Sequence, residues 1–257
     1  MLRSRELRMT IVGPMLRYLV NFLYPPRCAA CDARQPIETA RRVCEPCLAR
    51  IERLAEPLCE RCGMPFDEGD SDRGGICARC MQSPPRFGLA RAAARYRASA
   101  EDEGGTLASI VRRHKYGLDQ SLGRALAECI GPQWPLPAAH YDLVIPVPLH
   151  RARLRWRGFN QAALLAVEVA RRLDCRLDMT NLIRTKPTAP QTAQDLETRR
   201  RNVRRAFAVK RPGAFAGRRV LLVDDVMTTG ATADECARTL RAAGARAVDV
   251  FTLARAL

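Results

Sequence analysis

The sequence predicts an α/β fold: a parallel sheet flanked by helices, preceded by a small cysteine-stapled region. Two observations predict it. From about Phe87 onward, strand-like and helix-like apolar stretches alternate, and strands such as "RRVLLVDDV" are apolar on both faces. Strands of that kind belong to parallel sheets covered by helices on both sides. Ahead of Phe87, eight of the eleven cysteines fall in four Cys-x-x-Cys pairs. With 257 residues and 47% apolar side chains, the chain can bury a core of one or two domains, and its composition excludes a disordered protein.

Residues 1–25 end in "MLRYLVNFLYPP", which reads as a short amphipathic segment stopped by Pro25 and Pro26. Its apolar run is broken by Gly13-Pro14 and Arg17, without a small-residue cleavage site after it. No stretch reaches the roughly 18 apolar residues of a membrane span, so no membrane partner and a cytoplasmic location are expected. Residues 26–84 hold the cysteine pairs, and Pro84-Pro85 marks a linker to a domain spanning 87–257. In that domain "LASIVRRHKYG", "SLGRALAECI" and "NQAALLAVEVARRL" read as helices, the last starting at Asn160. "YDLVIPVPL", "LIRT", "AFAV", "RRVLLVDDV" and "VDVFTLAR" read as strands. "TADECARTLRAAGA" is a helix with Gly244 just past its end.

The cysteine pairs are Cys28/Cys31, Cys44/Cys47, Cys59/Cys62 and Cys77/Cys80. Two cysteines three apart can aim at one metal from a tight knuckle, and two knuckles complete a tetrahedral S4 site that suits Zn2+. Gly63, just after Cys62, suits the turn because glycine adopts positive φ freely. A disulfide framework is the competing reading, but it belongs to exported chains, and the N-terminus lacks an export pattern. One or two zinc ions are expected. Sequential pairing, 28/31/44/47 and 59/62/77/80, is the default, and the similar loop lengths leave a crossed pairing open. Four thiolates leave no coordination position for catalysis, so the metal's role is structural. Cys129, Cys175 and Cys236 sit in helical patterns and read as buried small hydrophobes.

Net charge is +16, nearly all of it arginine. The excess is concentrated: residues 146–218 carry 17 basic and 5 acidic side chains, while residues 219–257 are neutral. Such a block attracts polyanions, whether phosphates, pyrophosphate or nucleic acid; a generic solvated face is the alternative.

In "VLLVDDVMTTGAT", Asp224 and Asp225 close a buried strand, and Thr228, Thr229, Gly230 and Thr232 follow before a helix. Ligands of an open parallel sheet bind beyond the carboxyl ends of its strands. The turn offers backbone N–H groups, hydroxyls and a helix N-terminus, all favourable to phosphate. Carboxylates before it accept hydroxyls, so a sugar phosphate matches the loop. The repulsion between the aspartates is tolerable if they stay solvated, bind different hydroxyls or face Mg2+. Neither G-x-x-x-x-G-K-[ST] nor G-x-G-x-x-G is present. A plain capped turn would not need two acids and three threonines.

This stretch resembles the phosphoribosyl pyrophosphate (PRPP) motif of type I phosphoribosyltransferases. "LVNFLYPPRCAAC", "HKYGLDQSLGRALAE", "PVPLHRARLRWRGFNQAALLA" and "RTKPTAPQTAQDLETRRRNVRRAFAV", with the cysteine knuckles in front, are similar to one branch. That branch is the ComF/GntX family of competence-associated, phosphoribosyltransferase-like proteins. The resemblance covers nearly the whole chain and implies a type I phosphoribosyltransferase-like sheet behind a double zinc ribbon. It implies that Asp224 and Asp225 hold the ribose hydroxyls and, with Arg184 and Lys186, form the catalytic set. Met227, Thr228, Thr229, Gly230, Ala231 and Thr232 would wrap the 5′-phosphate. Val147, Pro148 and Leu149 would form the pyrophosphate loop, with Arg157, Asn160 and Gln161 nearby. A lid from Arg184 to Asn202 would add Gln191, Arg199 and Asn202. His150, near that loop, reads as a surface histidine. The resemblance further implies PRPP or a related ribose phosphate as ligand, with Mg2+. It leaves two readings: transfer of phosphoribose to an acceptor, or a non-catalytic accessory protein of DNA uptake that keeps the PRPP site and binds single-stranded DNA, with other uptake proteins as partners. Acceptor and oligomeric state are not encoded in these motifs.

Overall fold

The structure, a computed structural model, describes residues 25–36, 41–66, 75–96, 107–110, 122–187 and 201–257. Most of the amphipathic N-terminal segment lies outside them, as do Gln191 and Arg199 of the expected lid. The elements are α1 (Glu45–Ala49), α2 (Ala78–Gln82), β1 (Ala90–Tyr96), α3 (Leu122–Ile130), β2 (Leu143–Pro146), α4 (Arg151–Arg157), α5 (Gln161–Arg172), β3 (Leu182–Arg184), β4 (Phe207–Val209), β5 (Arg219–Met227), α6 (Ala231–Ala242) and β6 (Ala247–Ala256). Four strands form one parallel sheet in the order β1-β6-β5-β2. An antiparallel pair, β3 with β4, stands apart, bridged to the sheet side through His150 and Arg184.

The alternation of side chains along a strand sorts the core into two layers. Leu221, Val223, Phe251 and Leu253 pack with Leu126 of α3 and Leu165 and Val169 of α5. Val220, Leu222, Val248 and Val250 pack with Cys236, Ala237 and Leu240 of α6. All of the strand residues named here are fully buried, each contributing about 1.5–3 kcal/mol of apolar transfer. The cysteine region is divided between the same two layers. Cys28 and Cys47 join the α5 side, while Cys59, Cys62 and Cys80 join the α6 side. The region therefore straddles the β1 margin of the sheet with one tetrad on each face.

That margin explains an element the pattern does not reveal. "ARAAARY" lacks β-branched residues, yet it forms β1. On its inner side it pairs with β6. On its outer side the Ala90 N–H donates to the Arg61 carbonyl (2.7 Å) and the Arg95 N–H to the Glu52 carbonyl (2.9 Å). Gly63 has φ +65°, and a Cβ there would lie 2.6 Å from the Ala90 carbonyl oxygen, so the knuckle turn and β1 approach too closely for any side chain. The second unread element is α4. "RARLRWR" alternates like a strand, but its ends are capped as a helix. His150 Nδ1 accepts the Ala152 N–H (3.3 Å), and Gly158 closes the helix at φ +79°.

Buried Glu235 ties α6 to the segment entering β4. It accepts the Arg205 N–H (2.6 Å) and two bonds from Arg238 (2.7 and 2.9 Å). Burial alone would raise its carboxyl, but these bonds outweigh it and hold the pKa below the ordinary value. A depressed folded-state pKa stabilises the fold above the unfolded value, and that stability is lost as pH falls through the folded value. Glu235→Gln is expected to cost about 1.5–3 kcal/mol at neutral pH. The difference from the native protein should shrink below about pH 4 in urea unfolding. A difference that does not shrink at all as pH falls below that point would contradict the assignment.

Candidate active site and zinc centres

Strand β5 runs through both aspartates to Met227, with Asp224 in register with Thr252. Both carboxylates are half-buried. Asp224 Oδ1 accepts the Asp225 N–H (2.9 Å) and Asp225 Oδ1 accepts the Val226 N–H (2.7 Å). The turn after Met227 leads to Gly230, the N-cap of α6, at φ +78°, a backbone that only glycine adopts without strain. Thr228 is exposed, and Thr229 Oγ1 accepts the Ala231 N–H (3.4 Å). The α6 N-terminus thus opens at the carboxyl end of the sheet, where partial positive charge favours an anion.

Strand β2 neighbours β5, with Pro146 opposite Val223, so the segment Val147–Leu149 emerges beside the aspartate strand. The Val147 N–H donates to the Val223 carbonyl (2.8 Å). Asn160 supports this loop: its Nδ2 donates to the Val147 carbonyl (3.0 Å) and its Oδ1 caps α5 at the Ala162 N–H (3.2 Å). Gln161 and Arg157 are buried behind the loop, and Gln161 Nε2 has no hydrogen-bond partner among the described residues. His150 is committed to capping α4.

Among the described lid residues, Arg184 is the one whose charge is acted on by Asp224. It ends β3, its guanidinium lies 5.5 Å from the Phe207 ring centroid, and it is half-buried. Burial lowers its pKa, and the charge of Asp224 is among the groups that pull it back up. Lys186 is exposed and reaches the Arg204 carbonyl (3.4 Å); Asn202 is half-buried. Beyond Arg157, α4 carries residues the motifs do not single out: Arg151, Arg155 and Trp156 are exposed beside the pyrophosphate-loop segment, Trp156 at 70%. Interleaved basic and aromatic residues were the available signal. A separate cleft of about 660 Å³, lined by Arg176, Met179, Arg211 and Arg218, opens at the amino end of β2, the wrong end of a parallel sheet for its principal ligand.

The cysteines form two sets of four, Cys28/Cys31/Cys44/Cys47 and Cys59/Cys62/Cys77/Cys80, each with all sulfurs within 4.8 Å of one another. Sequential pairing is thus the one adopted. Cys31 and Cys44 Sγ are 3.8 Å apart and Cys62 and Cys77 Sγ 3.7 Å, close to the edge of about 3.8 Å of a tetrahedron with Zn–S bonds of about 2.3 Å. The donors fit zinc. Backbone N–H groups of Ala30 and Cys44 point at Cys28 Sγ (3.4 and 3.3 Å), and that of Cys77 at Cys59 Sγ (3.3 Å). Burial would raise both of these thiols, but the N–H bonds outweigh it and bring each down to about 7. Cys47 and Cys80 are pushed up by burial, so they shed protons when a cation arrives. Cys129 and Cys236 are fully buried, and half-buried Cys175 donates to the Tyr141 carbonyl (3.0 Å).

Known families match both halves. The double zinc ribbon domain matches residues 19–82 and the phosphoribosyl transferase domain matches residues 160–257. Among curated proteins, DNA utilization protein YhgH of Escherichia coli O6:H1 (strain CFT073) is 32% identical over 226 residues, 84% of this chain and 91% of its own length. Competence protein F of Haemophilus influenzae is 31% identical over 249 residues, 93% of this chain and 100% of its own. Competence protein ComFC of Bacillus subtilis is 29% identical over 220 residues, 83% of this chain and 84% of its own. No helix among the described residues is long and apolar enough to cross a membrane. Zinc-ribbon knuckles, a parallel phosphoribosyltransferase-like sheet and relatives matched nearly end to end place this chain in the ComF/GntX family.

Proposed function

We propose that the site binds PRPP or ribose 5-phosphate with Mg2+ and transfers phosphoribose to an acceptor during DNA uptake and utilisation. The observation that carries this is the Asp224–Asp225 pair at the carboxyl end of β5, followed by the Gly230-led helix N-terminus and flanked by the loop after β2. In this reading the aspartates take the ribose hydroxyls and residues 227–232 the 5′-phosphate. Val147, Pro148 and Leu149, with Arg157, Asn160 and Gln161, meet the pyrophosphate. Arg184 and Lys186, with Gln191, Arg199 and Asn202, close over it. The acceptor's lone pair forms the new bond to ribose C1 as the C1–O bond breaks, and the electron pair leaves with pyrophosphate. Arginines aimed at the departing oxygens stabilise the charge that builds there. Mg2+, a hard cation, would be held by the Asp224 and Asp225 carboxylates together with ligand oxygens and would neutralise pyrophosphate charge. The relatives' names, DNA utilization protein and competence protein, support a place for this chemistry in handling incoming DNA.

A second reading, a non-catalytic protein that also holds single-stranded DNA, is favoured by one observation. Trp156 is exposed on a helix bearing Arg151, Arg153, Arg155 and Arg157, a stacking side chain inside a basic field. One preparation tests both readings. PRPP with Mg2+ at about 100 times Kd should stabilise the protein by about 2.7 kcal/mol in thermal unfolding, and no shift at millimolar PRPP would reject the site. Pyrophosphate release with a nucleobase panel would identify an enzyme. Oligo-dT binding that weakens steeply with salt and quenches Trp156 would identify the DNA-binding role, and a flat salt response would reject it.

A further inference from the structure

The second cysteine tetrad is tied to the phosphate-facing turn, and the first is tied elsewhere. Arg79 sits between the ligands Cys77 and Cys80, and its Nη2 donates to the Thr229 carbonyl. Just beyond the knuckle, the Arg86 N–H donates to Asp234 Oδ1 in the first turn of α6. Gly230 itself lies close to Arg79 and Phe87: a Cβ there would be 3.8 and 3.9 Å from them. A further tie runs through β6. Arg255, 1% exposed, is in register with Met227, and its Nη1 donates to the Cys62 carbonyl (2.8 Å). Its Nε and Nη2 have no hydrogen-bond partner among the described residues. A buried guanidinium needs a counter-charge; four thiolates around Zn2+ supply a net charge of about −2.

The first tetrad anchors to α3 instead. Glu128 accepts the N–H groups of Arg42 and Val43 (2.9 Å each), and Arg53 donates to the Ile130 carbonyl (2.8 Å). We propose that the second zinc knuckle is the template of the sugar-phosphate site, with Arg79 and Arg255 as positioning residues that hold the turn from Met227 to Thr232. The identity of the ligand rests on the functional reading above; the ordering of the turn stands apart from it.

The test uses full-length protein carrying Arg79→Ala, Arg79→Lys or, as a control, Arg41→Ala. Arg41 is an exposed residue paired with Glu45 beside the first tetrad. Zinc content, amide hydrogen exchange across residues 227–232 and ribose 5-phosphate affinity by calorimetry are measured on each. Arg79→Ala is expected to keep both zinc ions, exchange the turn about tenfold faster and bind ribose 5-phosphate about tenfold more weakly, the loss of one charge-assisted bond. Arg79→Lys should recover part of both, and Arg41→Ala should match the native protein. Unchanged exchange in Arg79→Ala, or equal loosening in Arg41→Ala, overturns the proposal. Faster exchange in a set where even the native protein ignores ribose 5-phosphate supports the anchoring and rejects the functional reading.

Discussion

Stripping zinc with a strong chelator is expected to lower the melting temperature of the whole protein by about 10–20 °C in a single transition. Losing a structural metal belongs to the few perturbations that exceed about 4–5 kcal/mol, and a fold of this size shifts by about 2–4 °C per kcal/mol. The single transition is the sharper expectation. Cys28 and Cys47 pack in the layer of Leu221 and Phe251, and Cys59, Cys62 and Cys80 in the layer of Leu222 and Val250. Metal loss therefore opens both faces of the sheet. Calorimetry with and without chelator, alongside metal analysis giving two zinc ions per chain, measures this. Two resolved transitions, the upper one unmoved by chelation, would show that the cysteine region folds on its own.

Asp225→Ala and Asp224→Ala should each weaken PRPP by about 10- to 150-fold, the range of one hydrogen bond to a charged acceptor. They should differ in stability. Asp224 acts on half-buried Arg184, so its removal leaves that charge less compensated and destabilises the free protein. Asp225 makes its described bond to its neighbour's backbone, and its loss should leave melting of the free protein nearly unchanged. Calorimetric titration and thermal unfolding of the two variants separate these effects. PRPP affinity equal to native in both would remove the aspartates from the site.

The parts legible in the sequence are those whose chemistry is local. The knuckles announce themselves by spacing, and the Asp224-to-Thr232 loop carries acceptors, donors and glycine within nine residues. Strand β5 and helix α6 were legible because continuous apolarity and a helical period surround that loop. Strand β1 was not, because its stability comes from partners on either side and its alanines have no strand preference of their own. Helix α4 was hidden because Arg–apolar alternation imitates a strand, while its caps lie outside the alternating run. The electrostatic reach of Asp224 to Arg184 depends on how β3 docks next to His150. The bond from Arg79 to Thr229 spans 150 residues, and no local pattern encodes it.

The outer side of β1 has a consequence for how the protein fails. Two of its amides, those of Ala90 and Arg95, are taken by the carbonyls of Arg61 and Glu52, in the backbone next to the metal knuckles. When zinc leaves, a seven-residue strand with four alanines becomes an open template for strand addition by another molecule. Metal-starved protein is therefore expected to be lost to self-association before it is lost to unfolding, and zinc acts for this sheet as the guard of its β1 edge.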